Sequence, residues 1–177
     1  MPRRFVLVPS LKLDELAAYY EDIVASLRLY FSPAAPTFAA RFAGKRLDEV
    51  GKELASRLDE SDTRSAFAVL TSLEASFRID FDVRCRKRLK DDLSVYFRRV
   101  EKTRKNAVRL DEDILEGWKR HTDVLPTLIG DLRSAFKFRH WLAHGRYWTP
   151  KLGRRRYDFA YIHLIAESIV SGFPFVV

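Results

Sequence analysis

The chain of 177 residues has a single cysteine, Cys85. That excludes an intramolecular disulfide and any metal site built from several cysteines, and it accords with a reducing compartment, so the cytoplasm is the expected location. Long hydrophobic runs are also missing. The opening stretch Met1 to Pro9 is basic and then apolar, but its apolar part stops after four residues, too short for a signal-peptide core. The apolar C-terminal part is interrupted by His163, Glu167 and Gly172, so no membrane span is expected. No apolar/polar alternation is sustained enough for strands, and there is no internal repeat or low-complexity segment. Histidine is scarce: His121, His140, His144 and His163 are the full set.

What is abundant is positive charge, and it is local. Residues 81–110 carry eleven Lys/Arg against four Asp/Glu, and residues 133–156 carry eight against none. These two segments hold +7 and +8 of a chain whose net charge is +8, so the remainder sums to −7. A one-sided excess of this kind predicts an anionic partner, nucleic acid first and an acidic protein second.

The length fits one domain, 1–177, with a core that needs no staples. Its hydrophobic periodicity is helical throughout. Ser10 precedes a run from Leu11 to Phe31 at mostly three- and four-residue spacing, closed by Pro33 and Pro36. Thr37 is a cap for a second helix to about Leu58, and Ser61 with Asp62 supply another start. From Arg64 the stripe Phe67, Leu70, Leu73, Phe77 and Phe81 resumes, after a basic interval, at Leu89, Leu93, Tyr96, Phe97 and Val100, which predicts one long helix or two in tandem. The acids Asp111, Glu112 and Asp113 mark the start of a short helix that includes Trp118 and gives way before or at Pro126. A helix over Thr127 to Ala143, a loop over Tyr147 to Tyr157 and a final helix from Phe159 to about Val170, capped by Asp158, complete an all-α bundle of about five to seven helices.

The chemistry concentrates at Phe138-Arg139-His140-Trp141-Leu142-Ala143-His144-Gly145-Arg146. Arg139 keeps its proton and offers a planar fork of donors suited to phosphate, and His144 can give or take a proton near neutral pH. Gly145 suits the left-handed position just past a helix C-terminus. Five residues of ideal helix turn Arg139 and His144 about 140° apart, so either the last turn is distorted or they converge on a ligand lying across the helix end. His140 and His144, four apart, share a face and would suit a metal, but Trp141 stands where a His-Glu-x-x-His peptidase needs its glutamate, and no metal is expected. Glu74 and Arg78 are placed to pair on a helix surface, with Asp80 close by. In the loop, Arg146, Lys151, Arg154, Arg155 and Arg156 interleave with Tyr147, Trp148 and Tyr157, a composition suited to single-stranded RNA, although the aromatics also suit packing against the bundle.

The string from Lys137 to Arg146 resembles the signature of the HEPN superfamily: an arginine, four to six residues, then a histidine, often with a polar residue directly after the arginine, here His140. Leu73 to Asp80 resembles the core helix of some stand-alone bacterial members, and the resemblance covers about residues 64–170. It implies a helical bundle and a metal-independent endoribonuclease without cofactor, acting as a homodimer, often as a toxin or phage-defence effector with an antitoxin or other regulatory protein. It makes Arg139 and His144 the catalytic pair, His140 a supporting residue, and Glu74 or Asp80 candidates to orient them. Members controlled by a nucleotidyltransferase antitoxin often carry a modified tyrosine two residues after the histidine; that place is Arg146 here. A non-catalytic RNA-binding or protein-interaction bundle is the alternative from a different class, and a nucleotide-binding accessory protein is a third.

Overall fold

The computed structural model describes residues 12–153 and 155–176, and within them every regular element is helical. Among the described residues seven α-helices follow one another: α1 (Leu13–Tyr30), α2 (Phe38–Arg41), α3 (Leu47–Lys87), α4 (Asp92–Arg104), α5 (Glu116–His121), α6 (Pro126–Ala143) and α7 (Phe159–Gly172). A π-type turn, Leu110–Leu115, leads directly into α5.

The molecule is built on α3. Its 41 residues make a rod of about 60 Å, and it packs against α1, α4, α6 and α7. One side buries Ala66, Val69, Leu70, Leu73, Phe77 and Phe81 at three- and four-residue spacing. Against this stripe sit Trp118 from α5, Ile129, Leu132, Ala135 and Phe138 from α6, and Ile162, Ile165 and Ile169 from α7. Phe77 and Trp118 have no exposed surface, and truncating either to alanine is expected to cost about 3–5 kcal/mol. A smaller cluster of Phe31, Phe42 and Val50 closes the far end of α3 against the turns after α1.

Two boundaries differ from the sequence expectation. The helix expected from Thr37 to Leu58 is one turn, α2, broken at Gly44 (φ +79°) and restarted at Leu47, where Glu49 accepts the Arg46 N–H at 2.8 Å. The expected start at Ser61 and Asp62 is interior to α3. Ser61 is buried, and Asp62 directs its carboxylate to other elements, accepting from the Tyr20 hydroxyl and from the Phe159 N–H, each at 3.1 Å. A residue that reads locally as a cap therefore caps a helix distant in sequence. The expected Ser10 cap lies outside the described residues.

The stripe expected as one helix or two in tandem is two, with a reversal in the basic interval. Arg88 takes the left-handed conformation that ends α3 (φ +50°), and Asp91 caps α4 by accepting the Ser94 N–H at 3.0 Å. Buried Arg84 ties the corner together: it donates to Asp80 at 2.8 Å, Asp91 at 3.1 Å and the Pro174 carbonyl at 2.6 Å. Where α5 crosses α4, Gly117 is required, because a Cβ there would stand 2.7 Å from the Phe97 ring and 2.8 Å from that of Tyr96.

Candidate active site

Helix α6 carries the site on a core-facing scaffold. Pro126 begins it with φ already fixed and no N–H to satisfy, and Ile129, Leu132, Ala135 and Phe138 anchor one side in the core. Its end has two interlocking bonds: the Gly145 N–H donates to the Leu142 carbonyl at 3.1 Å and the Arg146 N–H to the Trp141 carbonyl at 3.2 Å. Gly145 (φ +78°) and Arg146 (φ +59°) are both left-handed, so the helix stops as a Schellman motif with Gly145 at the position that favours glycine. His144 is the exposed capping residue.

Beyond this stop the chain folds back. The Trp141 indole donates to the Trp148 carbonyl at 2.6 Å, which brings the Trp148 ring to 6.0 Å from that of His140 and 6.2 Å from that of His144. The two imidazoles are one helical turn apart, their ring centres separated by 4.3 Å. Two imidazoles therefore stand side by side within one chain.

Arg139 points elsewhere, as the 140° offset requires. Its Nη2 lies 2.5 Å from Glu74 Oε2 on α3, while Glu74 Oε1 accepts from Arg78 Nε at 2.7 Å. One carboxylate, with a largely buried side chain, thus holds two guanidinium groups. Glu74 Oε2 and Arg139 Nε are both buried without a hydrogen-bond partner, so this contact is an ion pair by distance and not an aligned hydrogen bond, and Arg139 Nε is an unsatisfied donor of the kind that calls for a water or a ligand oxygen.

Arg139 and His140 share the wall of a groove of about 680 Å³. Lys137 and Arg133 continue that wall along α6, Glu74 and Arg78 form its α3 side, and Leu110, Asp111 and Leu115 of the π-type turn close one end, with Trp148 to Leu152 at the other. Such π-type turns recur at functional sites. Arg133 is already held by Asp111 at 2.5 Å and Glu116 at 2.7 Å. Lys137 and Lys151 make no ion pair among the described residues, so they and His140 are the groove's uncommitted donors. Lys137 was legible in the sequence, since 137, 140 and 144 follow one face of a helix. His144 does not line the groove; its link to it is the His140 ring.

The other expected residues are placed as follows. Asp80 is not near Arg139 or His144: it lies fully buried, bound to Arg84 and to the Val176 N–H at 2.7 Å, and burial pushes its carboxyl above the ordinary range. Of the loop cations, Arg146 pairs with Glu60 at 2.7 Å, Arg155 with Asp131 and the Tyr161 hydroxyl, and Arg156 with Asp59 at 3.2 Å. The sequence treated this run as seeking an outside anion; in the fold, acids of α3 and α6 hold it. Those pairs are exposed and screened by solvent, so they latch the loop without withdrawing its charge. Lys151 reaches the groove, and Arg154 lies outside the described residues. Tyr157 is buried and stacks on Phe138, Trp148 is half-buried, and Tyr147 is exposed.

His121 stacks on Tyr96, and His163 lies beside Glu167, both away from the pair. Among the described residues no third His, Cys, Asp or Glu joins His140 and His144 in a metal-sized cluster. Burial pushes the Cys85 thiol up to about 12, which leaves it a neutral thiol at pH 7. No described helix is long and apolar enough to cross a membrane. No protein-family model, curated protein or solved structure matches the chain.

Proposed function

We propose that this groove cleaves RNA without a metal, as the HEPN-like motif implies. One observation carries the reading: His140, which lines the groove together with Arg139, has its imidazole centre 4.3 Å from that of His144. Metal-free cleavage needs one group to accept the 2′-hydroxyl proton as that oxygen attacks phosphorus, and another to protonate the departing 5′-oxygen. It also needs positive charge around the phosphorane-like transition state. His140 and His144 supply the two proton-transfer groups, and Arg139 with Lys137 supplies the charge. The products are a 2′,3′-cyclic phosphate and a 5′-hydroxyl.

The resemblance implies a homodimer in which two copies of the motif face each other. With two histidines in each chain, the dimer's part is to appose two grooves and two Arg139 side chains. A cytoplasmic toxin or phage-defence effector, restrained by an antitoxin or other regulatory protein, is the biological setting that goes with this chemistry. The second reading is a non-catalytic RNA-binding or protein-interaction module, favoured by the neutralisation of Arg133 and Arg139 by acids of the same chain.

The deciding experiment incubates purified protein with end-labelled RNA in EDTA and analyses the ends formed. Cleavage to cyclic phosphate and 5′-hydroxyl, lost in His144→Ala, is the expected result. RNA that is bound and never cut between about pH 6 and 8, where histidine changes charge, makes the binding module the better account. Cleavage abolished by EDTA and restored by zinc or magnesium overturns the metal-free mechanism.

A further inference from the structure

Most arginines of this protein have an acid beside them. Arg57, Arg64 and Arg120 pair with glutamates four residues earlier, and the loop cations pair across the fold. Arg88 and Arg99 depart from this pattern, and they are grouped with four exposed lysines at one corner and along one helix. Lys87, Arg88 and Lys90 lie where α3 turns into α4, and Arg99, Lys102 and Lys105 follow along and just past α4. Among the described residues none of the six makes an ion pair or a side-chain hydrogen bond. Arg98 and Lys102, four apart, even place like charges on neighbouring positions, which a helix selected only for stability avoids.

Backbone conformation adds an independent observation. Arg88 and Lys105, which bracket α4, both have φ +50°. Glycine or asparagine takes such positions with little strain, whereas a long side chain meets a steric cost. The helix dipole explains a cation near each C-terminus, but not one at the strained residue itself. At the corner, Arg86, Arg88 and Arg98 border a hollow of about 560 Å³ floored by Cys85, with Glu101 on its rim. Arg86 is engaged by Asp82 and Arg98 by the Leu89 carbonyl. The local acids are few: Asp91 caps α4 and binds Arg84, and exposed Asp92 and Glu101 are the others within α4.

This surface connects to the groove. Helix α4 covers about 20 Å from the corner to its last turn, where Arg104 pairs with Asp113 of the π-type turn that closes the groove. We propose that Lys87, Arg88, Lys90, Arg99, Lys102 and Lys105 form a phosphate-contacting track for a single strand of RNA whose reacting segment lies in the groove. The inference rests on the ribonuclease reading for the identity of the strand. A single strand fits because its unpaired bases can stack on aromatics such as Trp148 while the track holds the backbone.

The test uses the full chain with His144→Ala, so that RNA is not consumed, and compares it with the same protein carrying Lys87→Gln, Arg88→Gln, Lys90→Gln and Lys102→Gln. Fluorescence anisotropy is read with oligouridylates of about 5 and about 20 nucleotides over a salt series. The longer strand should lose about 10-fold or more in affinity, with the log–log salt slope flatter by about 3 for four lost phosphate contacts. The shorter strand should bind unchanged. Equal affinity and equal slope for the longer strand overturn the track, as does tighter binding of duplex DNA or of polyglutamate of matched length. Arg88→Gly alone should raise Tm while weakening the longer strand; a raised Tm with unchanged affinity assigns Arg88 a purely structural position and counts against the track. Failure of the track and failure of the ribonuclease are separable: cleavage of short RNA with unchanged long-strand binding removes only the track, and track-dependent binding without cleavage removes only the ribonuclease.

Discussion

Glu74 Oε2 stands 2.5 Å from Arg139 Nη2 while Glu74 Oε1 holds Arg78 Nε at 2.7 Å. The carboxylate fixes where the Arg139 fork points and at the same time lowers the groove's positive charge. Replacing Glu74 by Gln should therefore separate two properties. RNA affinity should hold or rise, because a negative charge is removed, while cleavage should fall by about 10- to 100-fold as Arg139 loses its alignment. Single-turnover rates measured beside binding isotherms check this; an unchanged rate at saturating RNA refutes a positioning role for Glu74.

Asp91 offers a pH-dependent check on the corner of α3 and α4. Partial burial opposes its ionisation, but the Ser94 N–H and hydroxyl and the Arg84 guanidinium outweigh that and hold its carboxyl below the ordinary range. A depressed folded-state pKa contributes stability that is fully present above the unfolded value and is lost as pH falls through the folded one. Asp91→Ala should thus cost about 1 kcal/mol at pH 7 through the lost cap, and the gap from the parent should close in acid. Urea unfolding of both proteins at several pH values reads it; a gap independent of pH would mean that the ionised carboxylate adds nothing.

Local chemistry made much of this fold legible. Gly145 after α6 and Asp158 before α7 each act through residues within one turn, and the structure uses each as the sequence implied. What escaped depends on partners far along the chain. Asp62 looks like a helix start, but its carboxylate serves Tyr20 and Phe159. The loop arginines look uncompensated until Asp59 and Glu60, nearly a hundred residues earlier, are folded against them. The candidate site divides the same way: the His140 and His144 face follows from helical spacing, whereas which of Glu74 and Asp80 meets Arg139 depended on how α3 packs on α6.

Gly117 gives a purely steric prediction. A methyl group there would meet the Phe97 and Tyr96 rings at under 3 Å, and the Phe97 ring, fully buried, has little room to withdraw. Gly117→Ala should destabilise the protein by about 1–3 kcal/mol despite alanine's better helix propensity. Thermal unfolding decides: a variant as stable as the parent would show that α4 and α5 can part at no cost.

The nearness of His140 to His144 predicts both a pH profile and a result from mixing subunits. If one imidazole must be neutral to accept the 2′-hydroxyl proton and the other protonated to release the 5′-oxygen, kcat/KM should be bell-shaped in pH. His140→Ala and His144→Ala should each lower cleavage by about 100-fold or more. The two variants, unfolded together and refolded, distinguish a pair within a chain from a pair across a two-fold axis. With the pair inside one chain, every mixed dimer still has one histidine missing at each site, and activity stays at the level of the single variants. With the pair shared between chains, one site of each mixed dimer regains both histidines, and the mixture recovers about a quarter of the parent rate. We expect no recovery, because the rings that would exchange protons with one RNA strand are already adjacent in one chain; recovery would mean that each site takes His140 from one chain and His144 from the other.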